Sequence, residues 1–426
     1  MSLPRYPEYK DSGVEWLGEV PGHWGEVKVR YLVARIGSGK TPLGGSETYA
    51  DEGVMFLRSQ NVYDEGLQLD DVVYISEEVD ESMAGSRVIQ NDILLNITGA
   101  SIGRSCVVPD GFQPANVNQH VCIIRLSNID YVPFVGWCFK SIFIKKQIDF
   151  VQNGAAREGL NFEQIAGLRL AMPPASEQQT IATFLDRETG KIDALIAEQQ
   201  RLVELLAEKR QAVISHAVTK GLPSTSSGLN APMKDSGVEW LGEVPAHWEV
   251  KMLKWFSTLH RGYDLTALEQ KDGPYPVITS GGVSGMHSKY MAYGPGVVTG
   301  RYGSTGRLFY VEENYWPHNT SLFVSDFHGN APRFVWYVLQ TMDFAAHSAK
   351  AAVPGIDRND LHVIPVVVPP LAEQTTIATF LDSETAKFDT LTTEANRAIA
   401  LLQERRSALI SAAVTGKIDV RGLASA

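Results

Sequence analysis

The chain has 426 residues, 44% hydrophobic and 20% charged, which suits a globular protein of two or three domains, each burying its own core. Its net charge of −11 excludes a surface coated in positive charge for indiscriminate nucleic-acid binding, while leaving room for a local basic face. No apolar run approaches membrane-spanning length and "MSLPRYPEYKDSG" lacks a hydrophobic centre, so the expectation is a cytoplasmic protein with no membrane partner.

Residues 1–24 form an N-terminal frame segment that ends in "KDSGVEWLGEVPGHW", Lys10 to Trp24. Next comes "ARIGSGKTPL", Ala34 to Leu43, a permissive match to the phosphate-binding P-loop. That motif needs a helix to start at the Thr so that its N-terminus faces the anion. Pro42 pushes Thr41 toward extended geometry instead, and "VKVRYLVARI" carries three cations where a buried parallel strand would be apolar. The stretch reads as a Gly-rich basic turn. The remainder of 25–172 is β-rich, with short apolar runs such as "DILLNITG" and "HVCIIRL" between Gly, Pro and Asn turns. "VPFVGWCFKSIFIKKQI" predicts a single helix, its aromatics packed in the core. Cys106, Cys122 and Cys138 are odd in number and far apart, and read as buried free thiols.

After Pro173-Pro174 the pattern changes. Ile181, Leu185, Ile192, Leu195, Leu202, Leu206 and Val213 recur at an average spacing of 3.5, the mark of a helix sharing a narrow seam with a partner helix. Gly190 and the polar seam positions Gln199, Lys209 and Arg405 predict a break or an irregular register. Residues 173–222 are therefore a helical spacer; some 40 helical residues span about 60 Å. Residues 223–248 hold an exposed linker and a second frame segment, "KDSGVEWLGEVPAHW", Lys234 to Trp248, which differs from the first at one position. A second insert, 249–368, is followed by a second spacer and tail, 369–426, entered through "PPLAEQTTIATFLDSETAKFDTL" as the first is entered through "PPASEQQTIATFLDRETGKIDAL".

The chain is thus a tandem duplication in which a retained frame surrounds two diverged inserts. The economical arrangement pairs the two long helices with each other, antiparallel. The expected fold class is α+β: two β-rich domains joined by two long antiparallel, coiled-coil-like helices with pseudo-twofold symmetry.

The doubled "GVEWLGEVPxHW", the two "PPxxEQxxIATFLD" helix entries, "RIGSGKTP" and the variable segments between them resemble the specificity subunit of a type I restriction-modification system over essentially the whole chain. The resemblance implies that each insert is a target recognition domain reading one half of a split, asymmetric sequence in double-stranded DNA, with the helices setting the gap. It implies two methyltransferase subunits and restriction/translocase subunits as partners. S-adenosylmethionine, ATP and Mg would then be bound by those partners, and this chain would be noncatalytic, with no cofactor of its own. In keeping with that, both Pro-Pro pairs lack the preceding Asn or Asp of an adenine-methylation motif.

Base edges call for Arg, Asn or Gln, and phosphates for Arg, Lys, Ser, Thr and backbone N–H groups. The expected DNA contacts in the first insert are Lys40, Thr41, Arg58, Ser59, Gln60 and Asn61, with Ser101, Arg104, Asn118 and Gln119 weaker, Asn118-Gln119 being equally suited to satisfying backbone groups at a strand end. In the second they are Arg261, Tyr263, Ser280, Lys289, Arg301, Tyr302 and Lys350. Two other readings compete: an enzyme with a nucleotide site at Ala34 to Thr41, and a coiled-coil adaptor that binds only proteins.

Overall fold

The computed structural model describes residues 3–14, 16–152, 159–222, 232–344, 346 and 355–423. The chain divides into two units, residues 1–199 with 397–426, and residues 200–396. Each long helix contributes one part of its length to each unit.

In the first unit the frame opens with an antiparallel ribbon, Tyr9–Asp11 against Glu19–Pro21. Its turn is set by Asp11, whose Oδ1 accepts the Gly13 N–H at 2.9 Å, and by Gly13 itself at φ +68°, a backbone conformation that favours glycine. A second ribbon pairs Gly25–Lys28 with Arg169–Met172, so the insert leaves and rejoins the frame through adjacent strands. Between them lie two sheets. One is antiparallel, in the order Ser105–Val107, Ile93–Asn96, Val121–Leu126, Val33–Ser38. The other runs Val73–Ile75, Val54–Leu57, Ala115–Val117, Arg87–Val88, with a parallel central pair.

The central strands are apolar on both faces because both are covered. Leu94, Val121 and Ile123 face the second sheet and meet Leu57, Ala115 and Val117. Ile93, Leu95, Cys122 and Ile124 face the other way, into a core with Phe134, Phe139, Ile144 and the long-helix residues Ile181 and Leu185. The aromatics of "VPFVGWCFKSIF" are core residues, as their spacing predicts. The segment is two helices rather than one, Val132–Lys140 and Ile142–Gln152. Ser141 breaks it: its backbone is extended, its Oγ accepts the Ile144 N–H at 3.3 Å, and it donates to Cys138 O at 2.6 Å. The cysteines are buried free thiols; burial pushes Cys106 and Cys122 up to about 12, so they stay protonated.

The second unit repeats this plan. Met233–Asp235 pairs with Glu243–Pro245, and Glu249–Met252 with Pro365–Val368, in the same registers as their counterparts. Its antiparallel sheet is ordered Thr258–Arg261, Ser321–Asp326, Gly296–Gly300, Leu308–Val311. A three-stranded sheet follows, Gly282–His287, Tyr275–Thr279, Trp316–Pro317, again with a parallel central pair. The inserts have kept the order of the antiparallel sheet, while the other sheet has four strands in one and three in the other and nearly all sequence likeness is lost.

The two long helices, Ala175–Lys220 and Leu371–Val414, are each continuous; 46 and 44 residues correspond to about 70 and 66 Å. Gly190 does not interrupt the first, since it sits on an exposed face where nothing presses on the backbone. Within the first unit Ile181, Leu185 and Ile192 share a core with Ile410, Ala413 and Val414, and Arg406 forks onto Asp193 at 2.8 and 3.3 Å. Within the second, Ile214, Ala217 and Val218 meet Ile377, Ala378 and Leu381. Numbers rise along one helix as they fall along the other, so the pairing inside each unit is antiparallel.

The seam departs from the predicted register. Leu195, Leu202 and Leu391 are 41–51% exposed, Ile214 replaces Val213 as the fully buried residue, and Arg406, not Arg405, enters the interface. A 3.6-residue helix drifts against a 3.5-residue template, and over the roughly nine turns from Ile181 to Val213 the error accumulates.

Candidate nucleic-acid interface

In the first unit several loops meet at one end of the paired sheets. The edge strand Val33–Ser38 ends at Gly39, which lies against the neighbouring chain so closely that a Cβ would sit 1.5 Å from Val117 O. Only glycine fits there, and the packing turns Lys40 and Thr41 outward to solvent. No helix begins at Thr41, and the strand before it is an antiparallel edge strand, so Ala34 to Thr41 do not form a P-loop.

Ser59–Asn61 form one turn of 3-10 helix after Val54–Leu57. Asn61 is fully buried and spent on structure: its Nδ2 donates to Gln68 O and Asp71 Oδ1 at 2.9 Å each, and its Oδ1 accepts the Arg58 N–H at 2.9 Å. Arg58 donates to Asp71 O at 2.7 Å, and Gln60 donates to the Asp71 carboxylate. Asp71 therefore gathers this loop. Ser59 and Gln60 line an open cleft of about 400 Å³ with Tyr63, Thr98, Ser101, Arg104 and His120. The Arg104 guanidinium stacks on Tyr63 at 4.7 Å, and Asn96 braces the floor through Ser59 O at 2.7 Å and Ser101 Oγ at 3.2 Å.

Asn118, expected at the DNA, is buried, and its Oδ1 accepts the His120 N–H at 3.0 Å. Its neighbour Gln119 is the exposed residue, accepting a hydrogen bond from Thr41 Oγ1 at 2.7 Å. The structure thus brings Lys40, Thr41, Ser59, Gln60 and Arg104 to one end of the unit and buries Asn61 and Asn118. It adds Tyr63, Thr98 and His120, none of which stands out in a sequence where Tyr, Thr and His are equally at home in a core.

The equivalent end of the second unit is built by Gly262, where a Cβ would lie 2.1 Å from His318 O, by Ser280, by Arg301-Tyr302 and by His318-Asn319-Thr320. Arg261 is exposed and paired with Asp264 at 3.2 Å. Arg301 stacks over Tyr302 at 4.5 Å. The Ser280 N–H donates to Thr320 Oγ1 at 3.3 Å. Two of the expected residues are placed differently. The Tyr263 ring packs on Trp316 and Phe323, 6.2 and 6.0 Å between centroids, and belongs to the small core between the sheets. Lys289 follows His287, which pairs with Tyr275 at the far end of the strand from Ser280. Lys350 lies outside the described residues.

Among the described residues no helix is long and apolar enough to cross a membrane, and no three His, Cys, Asp or Glu side chains converge as metal ligands.

Known proteins resemble this chain in sequence and in fold. Two curated relatives, the MjaX specificity subunit of Methanocaldococcus jannaschii and the EcoDI specificity subunit of Escherichia coli, are each 22% identical, over 238 and 299 residues or 55% and 60% of this chain. The matched stretches span 52% and 64% of those relatives' own length. A solved chain from work on complex assembly and conformational transition of the type I R-M system superposes with a TM-score of 0.65 at 15% identity, covering 93% of this chain and 98% of that one. The profile of the type I restriction modification DNA specificity domain matches residues 24–205 and again 245–400, and by that double match over most of its length the chain belongs to the type I restriction-modification specificity family.

Proposed function

We propose that this chain is the noncatalytic DNA-recognition subunit of a type I restriction-modification complex, each insert reading one half of a bipartite, asymmetric target. The observation that carries the reading is the repeated loop end. Two inserts with one antiparallel-sheet order present loops at corresponding strand ends, yet fill them with different side chains: Lys40, Thr41, Ser59, Gln60 and Arg104 in one, Arg261, Ser280, Arg301 and Tyr302 in the other. Shared catalysis would demand shared residues; readout of unlike sequences demands unlike ones. The long helices support a spacer role, since each is a single uninterrupted rod.

The partners in this reading are double-stranded DNA, two methyltransferase subunits that bind S-adenosylmethionine and modify adenine, and restriction/translocase subunits that use ATP and Mg, all in the cytoplasm. The test is an insert exchange. Replacing residues 29–168 with residues 253–364 gives a chain with the second insert in both frames, and its complex should methylate a target with two like half-sites. An unchanged methylation pattern, mapped genome-wide, would overturn the reading.

A further inference from the structure

Between the frame blocks the halves have diverged, but one pair of side chains returns at the same place in both. Two residues after the buried glycine stands Thr41 in the first unit and Asp264 in the second. Beside it is a three-residue turn leading from the parallel pair into the next strand of the antiparallel sheet, Asn118-Gln119-His120 and His318-Asn319-Thr320. Each turn is pinned by its first side chain accepting the N–H of its third residue, Asn118 Oδ1 from His120 at 3.0 Å and His318 Nδ1 from Thr320 at 3.4 Å. The middle residue is an amide both times, and each amide is tethered to the residue two places after the glycine.

The tethers are opposite in chemistry. Thr41 donates to the carbonyl oxygen of Gln119 at 2.7 Å, whereas Asp264 accepts from the amide nitrogen of Asn319. In the first unit the orientation is fixed further. With its oxygen taken by Thr41, Gln119 donates Nε2–H to His120 Nε2 at 2.9 Å, which leaves His120 Nδ1–H to donate to Thr98 Oγ1. After these bonds Gln119 retains one free N–H and one free lone pair. Asn319 retains one N–H and its whole oxygen. A side-chain amide held in one orientation with a donor and an acceptor unspent is complementary to the N7 and N6 edge of adenine in the major groove. Fixing that orientation within the protein lowers the entropy lost on binding.

We infer that Gln119 and Asn319 are the equivalent base-reading side chains of the two domains, each selecting adenine at one position of its own half-site, and that Thr41 and Asp264 are their positioning residues. The inference rests on the DNA-recognition reading above and adds to it a specific position and base. The test uses the full chain in its methyltransferase complex and duplexes in which each base of the target is varied in turn.

Gln119→Ala should lower discrimination at one position of the first half-site by on the order of tenfold to a hundredfold and leave the second half-site unchanged; Asn319→Ala should do the converse. Gln119→Glu, isosteric and able to keep the bond from Thr41, should move the preference from adenine toward cytosine, whose N4 donates to a carboxylate. It also serves as the deciding variant if the alanine form fails to assemble. Thr41→Val should relax the same position as Gln119→Ala, more weakly.

Active complexes of Gln119→Ala, Gln119→Glu and Asn319→Ala that keep the parental preference at every position would overturn the inference and leave the recognition reading standing. Uniform weakening with no change of base preference would also overturn it, reducing both amides to backbone contacts. A parental complex with no bipartite target would overturn both.

Discussion

The two frame copies are nearly identical in sequence and differ in how tightly they are closed. In each, the Glu of "PPxxEQ" reaches back to the His-Trp of "GEVPxHW". Glu177 accepts from Trp24 Nε1 at 3.1 Å and contacts His23 Nε2 at 2.8 Å; Glu373 accepts from Trp248 Nε1 at 2.9 Å and contacts His247 Nε2 at 2.7 Å. The following Gln anchors each helix start on a proline carbonyl, Gln178 to Pro173 and Gln374 to Pro369. The first copy adds a third donor, the Tyr6 hydroxyl, and over Tyr6 lies Arg421, held by Asp419. The Glu177 side chain is 6% exposed and that of Glu373 is 42%. One motif thus yields a dry clamp in one place and a wet one in the other, because residues outside the motif decide the solvation.

Breaking the clamps should give the largest contrast. Glu177→Ala strands buried donors on Tyr6 and Trp24 and should cost about 3 kcal/mol, while Glu373→Ala, with water at hand, should cost about 1 kcal/mol. Hydrogen exchange of the frame amides in each unit separates the two effects, and equal costs would remove the distinction.

A second contrast lies on the long helices. The Arg406 side chain is 10% exposed and forks onto Asp193, whereas Arg210 reaches the largely exposed Asp389 only at 3.6 Å. Arg406→Ala should cost about 2 kcal/mol and Arg210→Ala less than about 1 kcal/mol, read as loss of exchange protection in the flanking helix turns.

The units should also differ in acid. Buried His362 accepts the Leu259 N–H at 2.9 Å, and burial first, then Arg358 and Lys254, lowers its pKa. Its folded value lies below its unfolded value, so the stability it contributes is present above the unfolded pKa and is lost as pH falls through the folded one. Protection of Leu259 should therefore decline by about 1 kcal/mol in mildly acidic solution. The corresponding position of the first copy is Ala166, so that unit lacks this response. His362→Gln should flatten the profile; a slope that survives it would point to another group.

The smallest effect comes from Gly190, whose counterpart in the second copy is Ala386. An exposed helical glycine with open space around it should gain about 0.5–1 kcal/mol on Gly190→Ala, and Ala386→Gly should lose a similar amount. A loss on Gly190→Ala would mean that glycine serves a local bend.

These particulars show what a sequence can disclose. The retained motifs were legible because they are doubled, and the structure explains why both survived together: each Glu needs its Trp. Helix existence followed from periodicity, and the antiparallel sense from two such helices lying in one chain. Helix interruption did not, since Gly190 and Ser141 suggest breaks equally well, and only Ser141 has a carbonyl and an N–H placed to cap one. At the candidate interface, amino-acid type picked out exposed loop positions together with positions that the structure buries. Asn61 and Asn118 have the side chains that DNA readout would want, but a buried Asn holding a turn has the same chemistry as an exposed one touching a base. Burial separates them, and burial is set by strands far away in the chain.

The short ribbon joining Gly25–Lys28 to Arg169–Met172 has a consequence for ancestry. Its paired strands bring both ends of an insert to neighbouring points, with Cα atoms about 5 Å apart, so the body beyond can change length, loops and surface without moving the frame. Its counterpart, Glu249–Met252 with Pro365–Val368, does the same for a shorter insert. A chain built this way can exchange a whole insert by a single crossover at each neck and leave the frame unaltered.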